Sequence, residues 1–309
     1  MQSFKLSLAN GGTVAGISNI PLVSTSPCYR PLIVGLHGGI YGCHYFDANK
    51  EYTAAKQSSA LGVPFAAIDR PCYGGTSSFL PVPGDSNFTT ETGRWLHEYI
   101  LPAIWTEFGL PNNCNCIVLL AHSLGVMGAT YAAALHAQEK PPAYPLGGFI
   151  ASGLGEQFLS SGERVPIPEA NVPPYHTLFP LDVKDRMMFR RGTVDPEILA
   201  LSERLNVPSP LADAADLPTV WVPKWREWAA HITAPVKFAL VKQDCFFKGS
   251  EELVRSCTEA FMKSARVDGN FIRGAPHCLE LSYWAQGWYA SCFGFALECA
   301  ASLAVRVSV

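Results

Sequence analysis

Ile117-Val118-Leu119-Leu120-Ala121-His122-Ser123-Leu124-Gly125 sets a serine between two patterns of hydrophobicity. The four apolar residues that open it suit a strand buried on both faces. Leu124 to His136 then has helical spacing, so Ser123 stands at a strand-to-helix turn. Ala121-His122-Ser123-Leu124-Gly125 differs from G-x-S-x-G only in Ala121. Such a turn lifts the serine oxygen clear of the sheet, and small residues on either side let neighbouring backbone approach. A plain serine N-cap is the competing reading. The strand before it and the helix after it favour a nucleophile.

Outward from this point the chain alternates. Further buried runs end at Leu36, Ile68, Ala151 and Gln243, and a last strand is expected near 265–272. Helices are expected over 46–61, 89–108, 124–136, 250–263 and 284–305. Asn10-Gly11-Gly12 marks a hairpin at the start. Strand–helix alternation predicts a doubly wound, mostly parallel α/β sheet. The rhythm breaks between Glu156 and Ala230, too long a stretch for an ordinary loop. The expected organisation is a core over 1–155 and 233–309 with a helical cap inserted at 156–232.

A serine hydroxyl needs a base, and the base needs an orienting carboxylate. In an open α/β sheet such partners come from loops at the carboxyl ends of later strands. Asp244 directly follows one strand, and His277 lies in Gly274-Ala275-Pro276-His277-Cys278 after the last. Glu156 also follows a buried strand and is the rival acid.

The chain here resembles the α/β-hydrolase fold superfamily over nearly its whole length outside the insertion. Four features carry the resemblance: Leu36-His37-Gly38-Gly39, Asp69-Arg70-Pro71-Cys72-Tyr73-Gly74-Gly75-Thr76, the serine turn, and the Asp244/His277 pair. The second is similar to the family's D-x-P-G-x-G-x-S segment, with Cys72 where glycine is usual. The resemblance implies Ser123 as nucleophile, His277 as general base and acid, Asp244 as orienting acid, and an oxyanion hole from the N–H groups of Gly39 and Leu124. His37 is expected to support the Gly38-Gly39 loop.

Composition narrows the rest. Charged residues make up 16% of the 309, the net charge is −3, and no run of one sign occurs, so a nucleic-acid partner is not expected. Ten cysteines without a framework and no visible signal segment point to reduced thiols in the cytoplasm. Cys114 and Cys116 have no second pair at zinc-like spacing, and no metal or cofactor is expected. The apolar stretch 284–305 contains Gln286 and Glu298, which favours a packed helix over a membrane partner.

The roofed site is expected to take a bulky apolar small molecule as substrate. Tyr41, Tyr73 and His122 lie on or near site loops and are candidate ligand contacts. Trp221 and Trp225 sit at helical spacing in the cap, where they would line the pocket or pack the cap on the core. The leading expectation is a serine hydrolase of esters, thioesters or lactones. The alternatives are acyl transfer, cyclisation or C–C chemistry in a secondary-metabolite pathway, and a non-catalytic ligand-binding relative. Sequence patterning says nothing of oligomeric state.

Overall fold

The computed structural model describes residues 1–22, 27–159 and 172–307. Part of the expected insertion, 160–171, lies outside them. The elements in chain order are β1 (Gln2–Ser7), β2 (Thr13–Asn19), β3 (Arg30–Leu36), α1 (Ala55–Leu61), β4 (Phe65–Ile68), α2 (Phe88–Trp95), α3 (Leu101–Ile104), β5 (Cys114–His122), α4 (Gly125–Gln138) and β6 (Leu146–Ser152). There follow β7 (His176–Thr177), α5 (Leu181–Met188), α6 (Pro196–Leu199), β8 (Ser209–Pro210), α7 (Leu211–Asp216), α8 (Val222–Ala229), β9 (Val236–Gln243), α9 (Glu251–Thr258), β10 (Val267–Pro276) and α10 (Ala285–Val307).

The main sheet has eight strands in the order β1-β2-β4-β3-β5-β6-β9-β10. β1–β2 and β2–β4 pair antiparallel. The pairs from β4–β3 to β9–β10 are parallel. This is the doubly wound architecture that the alternation predicts.

Both faces of the central strands are buried, and successive side chains serve opposite cores. Leu32, Val34 and Leu36 of β3 join Ile117, Leu119 and Ala121 of β5 and Phe238 of β9 on one face, which α4 and α9 cover. Ile33, Val118, Leu120 and Val241 point the other way, toward α1 and α10. This two-sided burial is why these strands read as unbroken apolar runs. α10 is long and apolar enough to cross a membrane by length and composition. It lays Tyr289, Cys292, Phe293, Ala296, Cys299 and Ala300 against the sheet, at the spacing of one helix face.

Three expected helices differ. The one over 250–263 ends early, at Thr258, as α9. Over 46–61 only the last two turns form, as α1. The Asn49 carboxamide oxygen takes the N–H groups of Glu51 and Tyr52, both at 2.9 Å, and holds a local turn in place of the helix. Over 89–108 the helix persists but is uneven. Leu101 N–H reaches back five residues to Leu96 and Leu110 N–H five residues to Trp105, so two widened turns flank α3. Pro102, in the first turn of α3, removes an N–H that the regular ladder needs.

Candidate active site

Ser123 follows β5 and precedes α4, with φ at +49°. This left-handed conformation is uncommon for a side chain with a Cβ. Two backbone bonds hold it: Ser123 N–H donates to Ser152 O of β6, and Ser123 O accepts from Val126 N–H, each at 2.8 Å. Gly125 is required by closeness. A Cβ there would stand 2.5 Å from His37 O and 2.7 Å from Leu36 O, so α4 could not start against the end of β3.

His277 stands directly after β10, whose pairing with β9 is offset between Ile272 and Pro276. Its Nε2 is 2.9 Å from Ser123 Oγ and its Nδ1 is 2.9 Å from Asp244 Oδ2. Asp244 follows β9, and its Oδ1 accepts from the N–H groups of Phe246 and Phe247 at 2.7 and 3.1 Å. One carboxylate oxygen is thus fixed by backbone and the other faces the imidazole. An ionised carboxylate only accepts, so Nδ1 carries the proton and Nε2 offers its lone pair to Ser123. Phe246 packs edge-on to the His277 ring, with centroids 4.7 Å apart. All three polar residues are buried.

A cavity of about 250 Å³ opens at Ser123. Gly39 and Leu124 border it, and among the described residues neither N–H has a protein acceptor. Its walls are apolar: Ile40 from the core, Phe179 and Met187 from the insertion, Leu217 after α7, and Phe246 beside His277. Ser209 of β8 is a polar exception. Ligand pockets run to roughly 300–1,000 Å³, and this cavity lies just below that range.

Several expected contacts lie elsewhere. Tyr41 is buried against Cys278 and Lys184. His122 ends β5, its ring stacked on Tyr45 and 5.0 Å from the His277 ring, with Nδ1 3.1 Å from Ser152 Oγ. Trp221 and Trp225 stack at 5.5 Å in the core cluster that includes α4, because α8 packs on α4. Tyr73 bonds Asp213 and Ser209 and stays outside the cavity wall. Glu156 is held by Arg226 through two 2.9 Å bonds. Asp244 is the acid that meets His277.

His37 does support its loop. Nδ1 faces Gly38 O at 2.7 Å, and Nε2 accepts from Arg70 N–H. Phe179, Ser209, Leu217 and Phe246 were invisible as site residues in the sequence, because no motif or periodicity there points to the cavity.

No protein-family model matches the sequence, and no curated protein matches it. Solved structures do. A protein of Acinetobacter baumannii AYE assigned as a lipase aligns with a TM-score of 0.65 at 13% identity, over 97% of this chain and 92% of its own. The N-acyl homoserine lactonase AidH aligns at 0.62 and 14%, over 96% and 97%. An esterase of Thermogutta terrifontis aligns at 0.61 and 15%, over 97% and 100%. The chain has the α/β-hydrolase fold.

Proposed function

We propose that the protein is a serine hydrolase that cleaves an ester, thioester or lactone with a compact apolar acyl group. The observation that carries this reading is the hydrogen-bonded line Ser123–His277–Asp244, two links of 2.9 Å that end at a cavity. The likeness in fold to an esterase and a lactonase supports it.

Ser123 Oγ attacks the substrate carbonyl while His277 Nε2 takes its proton. Asp244 Oδ2 faces the imidazolium that forms and keeps the ring in register. The tetrahedral oxygen turns to the N–H groups of Gly39 and Leu124, each donor contributing roughly 3 kcal/mol in such sites. His277 returns the proton to the leaving oxygen or sulfur, which leaves an acyl-Ser123 ester. Water then attacks under the same base, the acid departs, and Ser123 regains its proton. Residues around 177–217 serve as the cap, since Phe179, Met187 and Leu217 stand over the nucleophile.

A fluorophosphonate probe with peptide mapping tests the reading. Labelling at Ser123 that disappears in both Ser123→Ala and His277→Ala is the expected result. A folded wild-type protein that takes no label would overturn it.

A further inference from the structure

We propose that Ser209 is a specificity-determining residue that accepts a hydrogen bond from the substrate. The site would then favour acyl groups with an N–H or O–H donor close to the reacting carbonyl. This rests on the reading of Ser123 as the nucleophile.

The argument follows protons through a buried chain. Arg70, which follows β4, donates from Nη2 to Asp213 Oδ2 at 2.7 Å. Tyr73 OH donates to the same oxygen at 2.6 Å. Arg70, Tyr73, Ser209 and Asp213 are all at least 96% buried. A carboxylate paired with a guanidinium has no proton to give, and a phenol has only one. The Tyr73 proton therefore belongs to Asp213. Tyr73 OH and Ser209 Oγ are also 2.7 Å apart. That contact needs a proton, and only Ser209 can supply it. Its hydroxyl points at the Tyr73 oxygen, and Ser209 Oγ keeps lone pairs alone for any further partner.

Reversal is costly, because it would strip Asp213 of a donor inside the protein. Ser209 lines the cavity, and its Oγ lies 3.9 Å from where a Cβ on Gly39 would stand. The acceptor is thus close to the oxyanion side of the site. A plain alkyl chain laid over it removes water and returns nothing, whereas a donor on the acyl group meets the lone pair. The discrimination follows from polarity as well as from shape.

The test uses 4-nitrophenyl esters of hexanoic acid carrying at carbon 2 or carbon 3 a hydroxyl, a methoxyl or hydrogen. Wild type and Ser209→Ala are compared in kcat/KM, and binding of the intact esters is measured in the Ser123→Ala background. Wild type is expected to prefer one of the hydroxy esters over its methoxy partner by about tenfold, one hydrogen bond's worth. Ser209→Ala should abolish that preference, with the unsubstituted ester gaining ground. Ser209→Thr, which keeps the hydroxyl, should restore it. Turnover without preference, or a preference that survives in Ser209→Ala, overturns the role of Ser209 and leaves the hydrolase reading intact. Preferential binding in Ser123→Ala that Ser209→Ala removes, with no turnover by wild type, supports Ser209 and overturns the hydrolase reading.

Discussion

At Ser123 the backbone conformation and the chemistry make opposite demands. Its φ of +49° suits glycine, yet the proposed chemistry needs a hydroxyl there. An L-residue in this region carries about 1–2 kcal/mol of strain. Ser123→Gly should therefore be more stable than Ser123→Ala by about 1 kcal/mol in urea denaturation. Both should lose roughly 10⁴- to 10⁶-fold in kcat. Equal stabilities would mean that the turn is unstrained. Cys72 poses the same question where the resembled segment has glycine. Its φ is +68°, but its buried Sγ accepts from Phe79 N–H at 3.4 Å. Cys72→Ala loses that contact and keeps the strain, whereas Cys72→Gly loses the contact and the strain together. A lower denaturation midpoint for Cys72→Ala than for Cys72→Gly is the expected order. Ser123 and Asp244 were legible because each directly follows a strand that hydrophobicity reveals, whereas His277 was marked by the Gly274-Ala275-Pro276 segment before it.

Elements that pack on one another through apolar faces were equally legible. β3, β5, β6 and β9 are continuous buried runs, and α4 and α10 follow from spacing. Links between elements were not. Arg70 and Asp213 form an ion pair of 2.7 Å, almost wholly removed from water, between the end of β4 and α7. They are 143 residues apart, and neither stands in a pattern that names its partner. Burying a pair need not add stability, but breaking it leaves a charge without compensation. Asp213→Ala should destabilise the protein by about 3–5 kcal/mol in chemical denaturation. Faster amide exchange should appear first in α7. The double variant Arg70→Met/Asp213→Leu should recover most of that loss, because no charge remains to be satisfied. If Asp213→Ala melts like wild type, the pair does not hold α7 down.

For the whole molecule, the mostly parallel, doubly wound sheet emerged from sequence, but the strand order and the cavity did not. Its walls come from the insertion and from loops, where tertiary contacts override local pattern. The same burial that shapes the site sets how stability responds to pH. His37 is enclosed, with Nε2 accepting from Arg70 N–H and Nδ1 facing Gly38 O. Burial first, and then the Arg70 charge, hold its pKa well below the ordinary imidazole value. His122 is displaced the same way, by burial and then by the His277 and His37 charges. Below about pH 6.5 the unfolded chain takes up protons that these two rings refuse in the native state. Each then removes up to about 1.4 kcal/mol of stability per pH unit as pH falls toward its native pKa. Glu280 acts with the opposite sign. Burial raises its pKa, so its contribution is present at low pH and is lost as pH rises. Comparing a variant with wild type isolates one ring from this background. His37→Gln keeps a donor and an acceptor but cannot titrate. It should be less stable than wild type at pH 7.5, through poorer packing, yet lose less stability between pH 6.5 and 5. Urea denaturation across that range measures the two slopes. Parallel curves would mean that His37 titrates alike in the folded and unfolded chains, and that its enclosure does not exclude the proton.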